Sequence, residues 1–361
     1  MIKVVNKSLL ALTVSGILAS PAVYATTGYF SHGFSTKEKG LAGAGTAYSQ
    51  DSMAAATNPA GMAFVGERMD IGLQLFSPSP RSYTVTGNVL PPPPAPGSNP
   101  MLPFGSAINA MPGAEVESDN DLFLIPSFGY NWQMNNDSTL GVSVYGNGGM
   151  DTEYPASATP DANGDGSGNG TFGAGTAGIS LAQLFISTTF TKKITDKHAF
   201  GGSVILVGQR FIGEGLEAFS AFSSDPANLS GNRKSDSFGA GLKFGYQGEV
   251  ASGIRVGAAY QSKISMSEFD EYKGLFAEGG DFDVPSTYNI GVSFDIGSAG
   301  VIVADVQRIN YSEVASINNP VNNLLTNCIP AGFNPSDPTA GATGAGCLGN
   351  SAGGGFGWED M

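Results

Sequence analysis

Charged residues are scarce in this 361-residue chain. They make up 13% of it, about half of the roughly 25% that is usual for a soluble globular protein. Most of the charges present are acidic, and the formal net charge is −14. Binding to nucleic-acid phosphates needs clusters of Lys and Arg. Because the sequence has no such cluster, nucleic acid is excluded as a partner.

The chain also lacks an apolar run long enough to cross a membrane as a helix. Residues 9–19 are apolar, follow Lys3 and Lys7, and precede small side chains that end at Ala25. This is the pattern of a cleaved secretory signal peptide over residues 1–25. A transmembrane anchor is the alternative, but the run falls short of the roughly 20 residues that such a helix requires. A mature chain in a membrane must therefore cross it as a closed barrel, because lipid cannot satisfy open strand edges.

Metal-binding side chains are few. Cys328 and Cys347 are the two cysteines, and both lie in a stretch rich in Gly, Asn and Pro. In an oxidising compartment they can form a disulfide. The alternative is a metal pair, but His32 and His198 are far away in sequence, so no structural ligand set assembles locally. We expect neither a metal nor another cofactor.

Glycine and aromatic residues, in contrast, are abundant. The chain has 52 Gly, 22 Phe and 12 Tyr. With low charge, this composition suits the lipid-facing wall of a β-barrel. It also suits a secreted β-rich fibre or adhesin.

Strands are predicted from residue 67 onward, after a distinct segment at 26–66 that is rich in Gly, Ala and Ser. Every second residue from Tyr288 to Ile296 is apolar, and the residues between them are small or polar. Period two with one apolar face predicts a strand, although a soluble sandwich would share this pattern. Nine strands are predicted, at about residues 68–77, 121–130, 138–146, 180–193, 198–212, 236–249, 254–268, 286–297 and 301–314.

The connections between these strands favour a barrel over a sandwich. Short turns alternate with long loops, as in outer-membrane barrels, which have short periplasmic turns and long extracellular loops. The fold class predicted is therefore all-β, a transmembrane antiparallel β-barrel. The short turns are at 133–137, 195–197, 251–253 and 297–300, and the long loops at 78–120, 147–179, 213–235, 269–285 and from 315 onward.

Two long loops carry apolar side chains that need an explanation. Leu102, Phe104 and Ile108 lie in the first loop, and Phe219 and Phe222 in the loop at 213–235. The loops could pack on each other over the mouth of the barrel. They could also form a surface that captures hydrophobic ligands, and the two interpretations are compatible.

The sequence contains a match to a nucleotide-binding motif, but the match lacks the structural context that the motif requires. Residues 173–178 match G-x-G-x-x-G, but that motif requires a strand before it and a helix after it, and here a loop precedes and a strand follows. We therefore predict no enzyme. A surface adhesin or structural outer-membrane protein is the alternative function, and a lipid-modifying or proteolytic barrel enzyme is a third.

The segment before the first strand resembles the N-terminal plug of the FadL/TodX-like family. The resemblance covers the mature chain and rests on residues 40–47, on Asp51 and above all on Asn58, Pro59 and Ala60. Members of this family are outer-membrane transporters of long-chain fatty acids and aromatic hydrocarbons. The resemblance implies residues 26–66 as the plug of a 14-stranded barrel, ligand capture on apolar loops, and lateral release where the third strand kinks.

On this chain the third predicted strand runs into Gly146, Gly148 and Gly149, which allow a bend or bulge. These glycines are the candidate lateral gate, and an ordinary loop entry is the alternative. With about nine of fourteen strands in residues 67–361, we expect a partial barrel, truncated at its C-terminus. The expected location is the cell outer membrane, as a monomer. The expected partners are a hydrophobic small-molecule ligand, outer-membrane lipid, lipopolysaccharide and the barrel assembly machinery.

Overall fold

The computed structural model describes residues 27–78, 81–84, 115–156, 170–172, 174–298, 300–334, 336–337 and 339–361. Strands with alternating side chains dominate this part of the chain. Their bounds are β1 Arg68–Phe76, β2 Ser82–Thr84, β3 Glu115–Glu117, β4 Phe123–Gln133, β5 Ser138–Tyr154, β6 Ala177–Thr195, β7 His198–Glu214, β8 Ser235–Ala251, β9 Ile254–Gln261, β10 Thr287–Asp295 and β11 Val301–Ile309.

Nine of these strands form one curled antiparallel sheet in the order β1-β4-β5-β6-β7-β8-β9-β10-β11. The nine predicted strands and the all-β antiparallel class are thereby confirmed. The boundaries differ in places: β5 runs on to Tyr154, whereas β9 ends at Gln261 and β11 at Ile309. The small hairpin of β2 and β3 was not predicted.

The sheet has an apolar outer face and a polar inner face. Outward side chains such as Ile71 and Val306 are each 74% exposed, whereas inward side chains such as Ser143, Ser187 and Ser293 are fully buried. A water-soluble sandwich would bury the apolar face instead. The burial is therefore the one expected for a wall whose outer face meets lipid.

Helices are short and lie outside the sheet. The α-helices are Thr36–Gly40, Ala54–Thr57, Ala277–Gly280, Ala315–Asn318 and Asn323–Thr326, and the 3-10 helices are Pro59–Phe64, Glu217–Phe222, Pro226–Asn228, Asp270–Tyr272 and Tyr311–Glu313. Within the described ranges, no helix is both long enough and apolar enough to span a membrane.

The N-terminal segment, residues 27–66, packs on the inner face of the sheet. Inward-facing glycines make the approach possible. A Cβ on Gly257 would lie 2.0 Å from the Thr46 carbonyl oxygen, and one on Gly201 would lie 2.4 Å from the Pro59 carbonyl carbon. The segment therefore lies directly against the wall.

The loops at one end of the sheet also pack together. Phe222, Leu229, Leu324 and Leu348 form a buried cluster between the loop after β7 and the residues after β11. A disulfide joins Cys328 to Cys347 beside it, so the predicted disulfide is present and the metal pair is not.

Candidate functional site

The pairing between two neighbouring strands of the sheet, which we call a seam, is interrupted at one place. The β4–β5 ladder ends at the Phe128–Val144 pair, and from there to Phe123 strand β4 pairs with β1 alone. Hydrogen bonding across the two strands is seen again higher up, where the Asn120 side-chain amide donates to an Asp151 carboxylate oxygen at 2.9 Å. We call the opening between residues 121–127 and residues 145–150 the window. At about 3.3 Å per residue it is roughly 20 Å long.

A β-bulge forms one margin of the window. The β5–β6 register shifts between Gly146 and Gly149, so that Asn147 and Gly148 together oppose Gln183. A bulge of this kind bends the strand and increases its local twist. It turns β5 away from β4 where their ladder stops.

The third strand of the sheet therefore does not end at Gly146, as the sequence predicted. It continues past the bulge to Tyr154. The glycines at 146, 148 and 149, which a loop entry would also explain, are what gave the appearance of a strand end. The gating role of the three glycines stays a prediction.

The N-terminal segment occupies the β5 side of the window. Phe30 forms a bridge with Gly148. The Ser31 amide donates to the Asn147 carbonyl at 2.8 Å, and the Gly149 amide donates to the Tyr29 carbonyl at 3.1 Å. The segment thus satisfies backbone groups of β5 that β4 leaves unpaired.

A cavity of about 1180 Å³ lies at the window. It touches Leu184 and Phe238, which are exposed on the outer face, and it also touches inward residues, so it connects the two faces of the wall. Much of its lining is apolar, including Phe30, Phe76, Phe123, Ile125, Met150 and Leu181.

The carboxylates that line this cavity have hydrogen-bond partners. Asp151 also accepts from the Ser180 hydroxyl at 2.5 Å. Asp236 pairs with the Arg210 guanidinium at 2.5 and 2.9 Å. Arg81 differs, because its guanidinium stands over the Phe123 ring, 5.4 Å from the centroid.

The Asn58-Pro59-Ala60 triplet is fully buried beneath the wall. Asn58 has an extended backbone, in accord with the restriction that Pro59 places on it. Its side-chain amide donates to the carbonyls of Thr46 at 2.7 Å and Tyr246 at 2.9 Å, and its Oδ1 accepts from the Ala60 amide at 3.1 Å. One side chain therefore joins two parts of the N-terminal segment to β8.

Two carboxylates of the edge strands also hold this segment. Asp305 of β11 accepts the amides of Gly45 and Thr46, each at 2.9 Å. Asp70 of β1 accepts the Ser52 amide at 2.9 Å and its hydroxyl at 2.7 Å. The segment thus bridges the two edge strands of the described sheet. Sequence reasoning missed both residues, because lone carboxylates in alternating strands carry no signal.

Glu38 is a buried acidic residue of the N-terminal segment, in the half that faces the window. Its Oε2 accepts the Phe34 amide at 2.8 Å, and Phe34 packs on the Tyr145 ring at 4.6 Å between centroids. Burial raises the pKa of Glu38 to about 7, although the hydrogen bond from Phe34 and the charge of Lys243 oppose this. This carboxyl therefore titrates near neutral pH.

The loop residues predicted to bind ligand have different surroundings in the structure. Phe222 is 3% exposed and belongs to the buried loop cluster, so packing accounts for its position. Phe219 lies at the edge of that cluster, 5.3 Å from the Phe172 ring between centroids. Leu102, Phe104 and Ile108 lie outside the described residues.

Comparison with known proteins agrees with this architecture. The family model described as outer membrane protein transport protein (OMPP1/FadL/TodX) matches residues 22–318. The search of curated proteins gives no match. Among solved structures, the fold is similar to that of the Ralstonia pickettii toluene transporter TbuX, with a TM-score of 0.54 and 19% identity over 79% of this chain and 73% of that one.

Two further solved structures have a similar fold. The P. putida toluene transporter TodX gives a TM-score of 0.52 and 17% identity over 79% of this chain and 72% of that one. A Pseudomonas aeruginosa FadL homologue gives 0.50 and 18% over 80% and 70%. Since the family match covers most of the chain, the protein belongs to the OMPP1/FadL/TodX family of outer-membrane transport proteins.

Proposed function

We propose that the chain transports small hydrophobic molecules, either long-chain fatty acids or aromatic hydrocarbons, and releases them sideways through the window. The observation that carries the proposal is the cavity at the interrupted seam, which reaches both faces of the wall. Two solved relatives of similar fold are toluene transporters, which supports a hydrophobic ligand.

The physical reason for a lateral route is the cost of hydrating the ligand. Each methylene group exposed to water costs about 0.8 kcal/mol relative to burial. Below the window the N-terminal segment lies across the inner face, held by Asn58, Asp70 and Asp305. A ligand that leaves between β4 and β5 enters lipid without crossing water.

The other parts of the chain have proposed roles in the same route. Residues 26–66 act as the plug, after cleavage of a signal peptide over residues 1–25. Apolar loop residues, among them Leu102, Phe104, Ile108 and Phe219, capture the ligand, and the Phe222 cluster keeps the loops in place. Lipopolysaccharide surrounds the loops, and the barrel assembly machinery inserts the protein.

A substitution that fills the window tests the proposal. A Cβ added at Gly146 would lie 3.1 Å from Ile125 Cγ2 across the seam, so Gly146→Leu should obstruct the opening. Gly202→Leu is the matched control, because the nearest contact of a Cβ there is an ordinary one, with the Phe244 ring at 3.6 Å, and Gly202 does not line the cavity.

We expect Gly146→Leu to lower the uptake of a radiolabelled fatty acid or arene several-fold in whole cells. Gly202→Leu should leave uptake unchanged. Surface abundance of both variants, measured by immunoblot of outer membranes, should match that of the parent. Normal uptake by Gly146→Leu would show that ligand does not pass this way.

A further inference from the structure

Pro126 lies in β4 just beyond the point where the β4–β5 ladder stops. If the register of that ladder continued past its last pair, Phe128–Val144, Pro126 would lie opposite Gly146. Both residues line the cavity at the window. A Cβ on Gly146 would lie 3.1 Å from Ile125 Cγ2, so the two strands are still within side-chain contact at this level. Pairing therefore stops before the strands have moved apart.

The direction of the backbone groups in β4 follows from its hairpin with β5. The Met134 amide donates to the Ser138 carbonyl at 2.9 Å, and the ladder runs on from there without a register shift. In an antiparallel ladder, hydrogen-bonded pairs alternate with pairs that exchange no hydrogen bond. Because Pro126 is an even number of residues from Met134, its backbone nitrogen faces β5. The nitrogens of its two neighbours face β1.

Proline at this position removes the donor that the β4–β5 ladder would use next. It has no backbone N–H, so it cannot donate to the Gly146 carbonyl. The ladder with β1 is not affected. By the same alternation, Leu73 and Pro126 form a pair that exchanges no hydrogen bond. This agrees with the general placement of proline in sheets, where its nitrogen faces away from a paired neighbour.

We propose that Pro126 is a positioning residue that ends the β4–β5 ladder and thereby fixes the lower end of the window. The N-terminal segment pairs with β5 farther along, at Asn147 and Gly149. If that segment left the bulge, β4 would still have no donor at position 126. The opening is then a lasting feature of the wall, and the seam does not have to separate for each ligand. This last consequence rests on the proposed function.

The variant Pro126→Ala restores the missing N–H and tests the inference. Amide hydrogen exchange is followed by NMR on the purified protein in non-ionic detergent. We expect the new amide at position 126 to exchange about tenfold more slowly than an unprotected amide, because it donates to the Gly146 carbonyl. The Gly146 amide should also exchange more slowly than in the parent, because the seam closes around it.

The matched control is Pro226→Ala. Pro226 is exposed at the first position of the 3-10 helix Pro226–Asn228, where a backbone N–H has no partner within the helix. The chemical change is the same, but exchange in β4 and β5 should stay at the parent rates.

Whole-cell uptake separates this inference from the proposed function. Protected amides with several-fold lower uptake of a fatty acid or arene, at matched surface abundance, would support both. Protected amides with parental uptake would support the role of Pro126 in the seam, but ligand would then leave elsewhere and the proposed function would fail. If the amide at position 126 exchanges like an unprotected one, the seam stays open without the proline and the inference is overturned.

Two proline substitutions keep the inference testable if Pro126→Ala does not fold. Leu124→Pro places a proline nitrogen toward the window, whereas Ile125→Pro places one toward β1, where Ile125 pairs with Gln74. We expect Ile125→Pro alone to lower the denaturation midpoint in lipid vesicles substantially, because it alone breaks an existing ladder. Equal losses in the two variants would overturn the inference.

Discussion

Two neighbouring seams of the same wall differ in how far their backbones pair. The β5–β6 ladder runs from the Ser138–Lys192 pair to the Tyr154–Ala177 pair with one bulge, whereas the β4–β5 ladder stops at Phe128–Val144. Both seams join strands with the same apolar outer face. An unpaired strand edge is costly in lipid, so an interruption in this wall calls for a compensating partner.

The N-terminal segment is that partner, and its two halves differ accordingly. Residues 45–62 lie beneath continuous ladders and are tied to β8, β11 and β1 through side chains. Residues 29–38 face the window and supply backbone hydrogen bonds to the bulge. The fully paired strands therefore hold residues 45–62 in place. At the window the relation is reversed, because there the segment supplies hydrogen bonds that strand β5 lacks.

The largest expected effect is on the free energy of unfolding, and it comes from a charge placed on the outer face of a fully paired strand. Leu206 and Leu124 are similarly exposed on the outer face, at 56% and 62%, but Leu206 lies at the middle of β7 and Leu124 near one end of β4. Leu206→Arg should destabilise the protein by about 2–4 kcal/mol and Leu124→Arg by about 0–1, because the cost of a charge falls toward the membrane interface. Denaturant titration of the protein folded in lipid vesicles measures both. Equal losses would contradict a lipid-facing wall.

The strands that form this wall were predictable because alternation is a local signal. The segment at 288–296 shows it, since β10 spans Thr287–Asp295. The window was only partly predictable. Glycines at 146, 148 and 149 indicated an irregularity, but they equally suited the entry to a loop, so the rest of β5 up to Tyr154 was missed.

Long-range partners were beyond reach of the sequence. Asn58 stood out through its neighbours Pro59 and Ala60, but its acceptor on Tyr246 is 188 residues away. The position of Arg81 could not be predicted either, because the fold alone brings it to the Phe123 ring and to the cavity. The hairpin of β2 and β3 was missed for the same reason, since its strands are distant in sequence.

The next effect concerns the half of the segment beneath the paired ladders. Asn58→Ala removes the side-chain donor to the carbonyls of Thr46, which is fully buried, and of Tyr246, at a cost of about 1–3 kcal/mol. We expect faster proteolysis and faster amide exchange within residues 45–62, with barrel assembly unchanged. Asn318→Ala is the control, because it removes a similar 2.8 Å bond to the Trp358 carbonyl in the loops. Unchanged protection in Asn58→Ala would show that the asparagine does not hold the segment.

The smallest effect concerns the half of the segment that faces the window, and it depends on pH. The pKa of Glu38 is raised from 4.5 to about 7 when the segment is docked, with burial as the main cause. A carboxyl whose pKa is raised by docking favours the docked state when protonated. That contribution is fully present below about pH 4.5 and is lost as pH rises through about 7.

Amide exchange measures this effect. After correction for intrinsic rates, residues 33–46 should exchange faster at about pH 8.5 than at about pH 5.5, whereas residues 47–62 should change less. Glu38→Gln, which is neutral at both pH values, should remove the difference. A pH dependence that persists in Glu38→Gln would assign it to another group, and slower exchange at the higher pH would mean that the charged carboxylate, favoured by Lys243, is the form that holds the segment at the window.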